Sequence, residues 1–388
     1  MSRKIFLPVV AGLLATAVMP GVAGASAARP ELQQAIQAFV DAGFAGAQMR
    51  VNDERGEWVG NAGVRKLGSP VKPPTNGLFR LGSSTKTFVA TMVLQLVAEG
   101  ELSLDTPVAG HLTQFGLDER ITVKMLLQHT SGVYNYTGEL DAEGNFVPGI
   151  IGVGKDLVEQ RLRSFRQEEL VRFALSKPAR FEPGTNWSYS NTNYTLAQLL
   201  IEKVTGRSFA EELDRRIVKP LGLKHTLAPS TRTTIPGPHS HGYYRYEDAG
   251  TWKVVDVTRQ NPSYLGAAGG MIATSEDLHT FFSALNSGKL LPAGLLTEMR
   301  EPHPQSGALR YGLGVFVQDL GPNCGTVLHH NGSALAGYAS IMYSTPDGKK
   351  TLTGSITMGD AAIDPSQAVT KPMENLLKTV FCDEEAAS

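Results

Sequence analysis

The sequence predicts an α+β fold: one sheet built from strands at the two ends of the chain, with a mostly helical region inserted between them. Three observations lead there. Strand-like stretches bounded by turns cluster before residue 65 and return after residue 310. From about Gly110 to about Pro262 the pattern changes to helices, turns and loops. Composition is that of a globular enzyme, 41% hydrophobic and 19% charged, and about 360 residues beyond a leader suffice for one large domain or two closely packed ones. The groove between sheet and insert is then the natural pocket.

Met1-Ser2-Arg3-Lys4 is basic, Ile5 to Val22 is apolar, and Ala25-Ser26-Ala27 offers a small-residue cleavage site. Residues 1–27 therefore read as a secretory signal peptide, outside the fold. A retained anchor is the alternative, but Pro20 and Gly21 break the apolar run. The expected mature chain, residues 28–388, is secreted and carries no membrane anchor. Glu31–Ala42 reads as an amphipathic helix, with Leu32, Ile36, Phe39 and Val40 on one face. Gly46–Val51 and Trp58–Val64 read as strands joined by a turn at Asp53-Glu54-Arg55-Gly56. A helix runs from Ser83 through Val89, Met92, Val93, Leu96 and Val97 until Gly100 ends it. Further helices are expected over Leu157–Phe165, Gln167–Leu175, Leu196–Thr205 and Phe209–Ile217. Strands resume over Tyr311–Phe316, Thr326–His330, Tyr338–Ser344 and Lys350–Thr357, with Pro346-Asp347-Gly348 as a hairpin turn. Met373–Phe381 closes the chain as a helix. The sheet region is thus 28–109 plus 263–388, and the helical insert is 110–262.

A net charge of −1 gives no reason to expect nucleic acid or an anionic membrane as partner. There is no His-Glu-x-x-His, and two cysteines do not make a zinc cluster, so no metal or cofactor is expected. Cys324 and Cys382 are the only cysteines. Export to an oxidising compartment favours a disulfide between them over two separately buried thiols, tying the C-terminal tail to the last part of the sheet.

The chemistry centres on Leu81-Gly82-Ser83-Ser84-Thr85-Lys86. Ser83 and Lys86 stand one turn apart on one face of a helix start. An amine there reaches a hydroxyl where unpaired backbone N–H groups favour developing negative charge, which are the parts of an activated serine nucleophile. Alone the pattern is weak, an N-cap serine being the ordinary explanation. The chain holds a second instance, Ser69-Pro70-Val71-Lys72, which its prolines bar from a helix. Tyr189-Ser190-Asn191 follows the turn Glu182-Pro183-Gly184-Thr185. A tyrosine beside a lysine can have its pKa lowered and shuttle a proton, and the Asn191 amide suits recognition of a peptide group. Late in the chain comes His330-Asn331-Gly332-Ser333, at a strand end where Gly332 allows close backbone approach. Alternation along the strand puts His329 on the opposite face from His330.

Ser-x-x-Lys, Tyr-x-Asn and His-x-Gly, in that order on helix start, loop and strand, resemble the serine penicillin-recognising enzymes. A third motif beginning with His resembles the branch of the class C β-lactamases and the secreted D-alanyl-D-alanine carboxypeptidases, the soluble serine DD-peptidases. The resemblance extends to Leu127-Gln128-His129-Thr130-Ser131-Gly132, Tyr189-Ser190-Asn191-Thr192-Asn193, Lys219-Pro220-Leu221-Gly222-Leu223 and Gly269-Gly270-Met271-Ile272-Ala273-Thr274-Ser275-Glu276-Asp277-Leu278. It implies an antiparallel sheet flanked by helices with a mostly helical second region. It implies Ser83 as the acylated nucleophile, Lys86 as the base or its electrostatic partner, Tyr189 as proton shuttle and His330 facing Tyr189 across the cleft. Asn191 would bind the acyl-side amide, with Asn331, Gly332 and Ser333 lining the substrate strand and the Ser333 N–H joining the Ser83 N–H as oxyanion donor. Tyr264 and Phe316 are taken as apolar cleft walls.

The resemblance implies an acyl-enzyme hydrolase and acyl transferase acting on D-amino-acid peptides of peptidoglycan, acylated covalently by β-lactams and expected as a monomer. The sequence departs from the pattern in having Asn331 where these enzymes usually carry Thr, and no arginine in Gly314-Val315-Phe316-Val317-Gln318 to hold a terminal carboxylate. A D-specific endopeptidase, amidase or ester hydrolase therefore competes with a D-Ala-D-Ala carboxypeptidase. A class C-type β-lactamase comes next, and a non-catalytic β-lactam or muropeptide binding protein last.

Overall fold

The computed structural model describes residues 29–382 apart from 142, 336 and 361–364; the expected signal peptide lies outside the described residues. Five helices and seven strands carry the argument. The helices are α1 (Pro30–Asp41), α2 (Thr85–Ala98), α3 (Asn191–Thr205), α4 (Ser275–Asn286) and α5 (Thr370–Phe381). The strands are β1 (Gly46–Asp53), β2 (Gly56–Gly63), β3 (Phe316–Asp319), β4 (Thr326–His329), β5 (Gly332–Ala334), β6 (Tyr338–Ser344) and β7 (Thr351–Thr357). They form one sheet in the order β2-β1-β7-β6-β4-β3, every neighbour antiparallel, with β5 pairing a second stretch of β6. The sheet closes the chain on itself: β1 pairs with β7, Gly46 opposite Thr357.

Each face of the sheet buries a different core. On the outer face Leu32, Ile36 and Phe39 of α1 meet Leu376, Val380 and Phe381 of α5 over Met49, Val51, Leu352 and Ile356. The inner face is covered by α4, against β6 and β7, and beyond it by α2 and α3. Every residue of α2 from Thr85 to Leu94 is buried. A helix buried on all sides sits inside a core, not on a surface, so α2 is the axis around which the helical region packs.

The strands near the N-terminus and the closing helix lie where the sequence places them, to within a few residues. Two expectations are corrected. Tyr311–Phe316 is not a strand: those two residues only bridge each other, and the strand is Phe316–Asp319. The preceding stretch instead folds onto α2. Gly314, at φ 78, makes that possible, since a Cβ there would stand 2.5 Å from the Ala90 side chain. The region 110–262 also contains strands, the short pair Gly138–Leu140 with Phe146–Pro148 and the hairpin Tyr243–Asp248 with Thr251–Asp256. The second has strand composition around an Ala249-Gly250 turn, a signal that the helical surroundings obscured.

Cys324, in the β3–β4 loop, is bonded to Cys382 at the end of α5, with the Cα atoms 3.9 Å apart. Closing a loop across a separation of 58 residues stabilises by up to about 4 kcal/mol on the chain-entropy model. Cys382→Ser should therefore lower the urea midpoint relative to the oxidised wild type. Reductant should lower the wild-type midpoint to the same value and leave the variant unmoved. Mass analysis showing two alkylated cysteines without reductant would contradict the bridge.

Candidate active site

From Gly77 to Leu94 every residue except Ser83 is buried. The exception is produced by backbone packing. Ser83 sits in the single turn Gly82–Ser84 that leads into α2, and β5 lies directly against that turn. Gly82 has φ 50, and a Cβ on it would fall 2.5 Å from the Ser333 nitrogen. A Cβ on Gly332 would fall 1.9 Å from the Leu81 oxygen and 2.6 Å from the Ser83 nitrogen. Only two glycines allow main chain to meet main chain here. The contact brings the amides of Ser83 and Ser333 to one junction, the placement an oxyanion site requires. Ser84 points the other way. Its hydroxyl donates to the His330 carbonyl at 2.5 Å and lies 2.7 Å from Ser340 Oγ, which donates to the Leu81 carbonyl. Ser84 thus anchors the turn to the sheet.

Lys86 Nζ lies 3.1 Å from Ser83 Oγ, 2.7 Å from Asn191 Oδ1 and 2.6 Å from the Ala268 carbonyl oxygen. The side chain has no exposure to water, and this burial lowers the amine well below the ordinary lysine range. A neutral amine has two N–H bonds and one lone pair. The two carbonyl-type oxygens can only accept, so they take both protons, and the lone pair is left facing the Ser83 hydroxyl. That is the geometry of a base poised on a nucleophile.

Tyr189 stands in the loop before α3, half-buried, its ring centroid 4.9 Å from Lys86 Nζ. Burial raises the phenol above its ordinary pKa, and the nearby Ser83 hydroxyl only partly opposes this. The expected depression is therefore corrected: no fixed cation balances the desolvation, because Lys86 is itself driven neutral. Tyr189 is a protonated donor.

His330 is buried too and does not reach Tyr189; the two ring centroids are 6.5 Å apart. Its Nδ1 lies 2.9 Å from the Asn331 carbonyl and its Nε2 lies 3.2 Å from Tyr311 Oη. A carbonyl cannot donate, so Nδ1 carries the proton and Nε2 accepts from Tyr311. Burial holds the imidazole well below its ordinary pKa. The third motif thus supplies a neutral ring that holds Tyr311, not a cation.

Asn191 is held by a chain of side chains that its sequence neighbours do not reveal. Its Nδ2 donates to Thr137 Oγ1 at 2.9 Å and its backbone N–H to Asn135 Oδ1 at 3.0 Å. Asn135 receives the Thr137 hydroxyl at 2.9 Å and donates its own N–H to Glu139, which pairs with Arg180. With Oδ1 on Lys86 and one Nδ2 proton on Thr137, one N–H of Asn191 is left for a substrate carbonyl.

The remaining candidates divide. Gly332 and the exposed Ser333 lie against the turn that carries Ser83. Asn331 does not. Its Nδ2 donates to Tyr343 Oη and its Oδ1 accepts the Met342 N–H, on the outer side of the sheet, because alternation that turns His330 and Gly332 inward turns Asn331 outward. Tyr264 is core, with its ring against Tyr136 and Phe165 and its carbonyl accepting the Tyr136 hydroxyl. Phe316 stacks on His329 at 5.0 Å and meets Tyr311 edge-on at 4.5 Å, supporting the His330–Tyr311 pair from behind. Thr137, Ala268 and Tyr311 belong to the site but follow no motif spacing. Ala268 stands directly before Gly269-Gly270, which is the one sequence signal beside it.

The family model described as Beta-lactamase matches residues 32–357. Among solved structures, a D-stereospecific amidohydrolase from Streptomyces sp. is 38% identical with a TM-score of 0.77, covering 91% of this chain and 98% of that one. Among curated relatives, PbpX of Bacillus subtilis, described as a penicillin-binding protein, is 30% identical over 71% of this chain and 62% of its own length. Esterase EstB of Burkholderia gladioli is 37% identical over 41% of this chain and 40% of the relative. The chain therefore spans less than two thirds of the length of these two curated relatives.

Buried imidazoles set a stability limit. His129, His329 and His330 all have pKa values lowered chiefly by burial, His329 to about 3. The unfolded chain takes up protons on these rings as pH falls through about 6.5; the folded chain resists until lower pH. Their contribution is fully present above about 6.5 and lost as pH falls below it, by at most ~1.4 kcal/mol per pH unit per ring. Urea midpoints should fall steadily between pH 7 and 5. A midpoint flat across that range would show that the rings are not held neutral.

Proposed function

We propose that this chain, which belongs to the beta-lactamase family and is a serine hydrolase of that fold, cleaves D-aminoacyl amide and peptide bonds through an acyl-enzyme on Ser83. The observation that carries the reading is the three-way setting of Lys86, with its lone pair on Ser83 Oγ. Lys86 takes the Ser83 proton as Oγ attacks the carbonyl carbon. The amides of Ser83 and Ser333 receive the developing oxyanion, and the Asn191 N–H that remains holds a carbonyl on the acyl side. As the tetrahedral intermediate collapses, the Tyr189 phenol gives its proton to the departing nitrogen and recovers one from the Lys86 ammonium. The C–N bond breaks, the amine leaves, and the acyl group stays on Oγ. Water then repeats the cycle with Lys86 again as base, releasing the acid and regenerating the serine.

Amides and internal bonds are preferred over a free terminal carboxylate because the third motif offers a neutral imidazole turned onto Tyr311, not a cation. The similarity to a D-stereospecific amidohydrolase over almost the whole of both chains agrees with that choice. A second reading, a D-alanyl-D-alanine carboxypeptidase of peptidoglycan stems, is favoured by the similarity to a penicillin-binding protein and by the exposed Ser333 on β5. Both readings include acylation by β-lactams. Export belongs to the proposal and is supported by the leader-like residues 1–27 and by a disulfide suited to an oxidising compartment.

Turnover of a tripeptide ending in D-Ala-D-Ala, of its C-terminal amide and of D-phenylalaninamide separates the readings. The two amides should exceed the free acid, and L-phenylalaninamide should not be turned over. A faster reaction on the free acid would establish the carboxypeptidase instead. Ser83→Ala should lose roughly 10⁴-fold or more in kcat/KM and all labelling by a fluorescent penicillin. For the wild type, kcat/KM should rise with pH to a plateau as Lys86 loses its proton and should show no fall between about pH 6 and 8, where an imidazole acting as a cation would impose one.

A further inference from the structure

We propose that His129 is a positioning residue for Tyr189, holding the phenol where it can protonate the leaving nitrogen; this rests on the role given to Tyr189 above. His129 ends the helix Val123–Gln128 in a left-handed conformation, φ 66 and ψ 38, which a bulky non-glycine residue rarely adopts. Held there, it grips the chain on both sides of Tyr189. Its carbonyl accepts the Ser188 N–H at 3.1 Å, and its Nδ1 accepts the Ser190 N–H at 3.2 Å. Its ring lies 4.3 Å from the Tyr189 ring, centroid to centroid, at a tilt of 40°. Three contacts from one side chain and its own carbonyl therefore bracket one residue: main chain before it, main chain after it, and the ring between.

The chemistry of the ring is as constrained as its place. Nδ1 accepts a backbone N–H, so it carries a lone pair, and Asn193 Nδ2 lies 3.1 Å from the same atom. The Ser131 hydroxyl donates to Asn193 Oδ1 at 2.6 Å, which leaves the NH2 of that amide facing His129. The ring proton is then on Nε2, which is buried and has no hydrogen-bond partner among the described residues. A protonated ring would give up its bond to Ser190 and set a charge beside Lys86, so the clamp exists only in the neutral form. Neither half of the function survives alone. Phenylalanine would keep the ring and leave the Ser190 N–H unpaired, while asparagine would keep an acceptor and the left-handed backbone but remove the ring.

The test uses leaving groups. An amide nitrogen cannot depart without a proton, whereas p-nitrophenolate can. His129→Asn and His129→Phe are compared with wild type on D-phenylalaninamide and on the p-nitrophenyl ester of N-acetyl-D-phenylalanine. Values of kcat are expressed per site acylated in the p-nitrophenol burst, so misfolded protein is not counted, and Tyr189→Phe is the reference. Both His129 variants should lose about tenfold in kcat on the amide and under about threefold on the ester, with KM little changed, as expected for a displaced proton donor. The reference should show the same split more strongly, by about 100-fold on the amide. Equal losses on both substrates, or no loss, while the reference shows the split, would overturn the role of His129 and leave the proposed function standing. A reference without a split would overturn both. Should His129→Phe fail to accumulate, His129→Asn carries the comparison alone.

Discussion

A lysine amine with no access to water, bounded by two carbonyl-type oxygens and one hydroxyl, is the constraint on which the arrangement of this molecule depends. Burying an amine without partners costs several kcal/mol, so each of its three contacts has to be supplied by the fold. They come from three separate parts of the chain: Ser83 at the start of α2, Asn191 at the start of α3, and the Ala268 carbonyl in the turn before α4. The position of the helical insert against the sheet is in this sense written in the surroundings of one nitrogen. The same desolvation that makes Lys86 costly to bury lowers its pKa and suits it to the base role proposed for it. Stability and reactivity at this site have one cause.

The second organising contact has no side chains in it. Gly82 and Gly332 let the Gly82–Ser84 turn and β5 meet main chain to main chain, which leaves Ser83 the one unburied residue in an otherwise buried stretch. Because β5 pairs with β6, and β6 through β7 with β1, that contact is referred to the whole sheet and to both ends of the chain. Ser84 and Ser340 bind the turn to β6 from the inner side. A site whose donors are backbone amides needs backbone held this firmly, since such a group cannot be adjusted by choosing another rotamer.

Electrostatically the site is nearly empty of charge. Lys86 is driven toward the free base, Tyr189 toward the phenol and His330 toward the neutral ring, each chiefly by burial. In the proposed reaction the charges that do appear, an ammonium on Lys86 and a developing oxyanion, are transient and meet acceptors and donors already in place. The nearby ion pair, Glu139 with Arg180, acts one step removed, by fixing Asn135 and so Asn191.

The sequence by itself determined the layout of the sheet from the two chain ends, the place of Ser83 and Lys86 one helical turn apart, and the glycine at Gly332 that admits the strand. Each of these is local: periodicity, helical geometry and the absence of a Cβ are properties of a few consecutive residues. Partners across long sequence separations left no such trace. Nothing in the spacing tells that the Ala268 carbonyl reaches Lys86, that Thr137 and Asn135 hold Asn191, or that Tyr311 turns His330 away from Tyr189. The sign of the Tyr189 shift was likewise beyond local reasoning. A tyrosine beside a lysine is lowered or raised according to whether the lysine keeps its charge, and burial by the whole fold decides that. Tyr264 and Asn331 fail for a related reason, because which face a residue presents is set by what packs against the element. Local stereochemistry therefore chose the residues that could react, and the tertiary structure chose the protonation states and partners with which they do so.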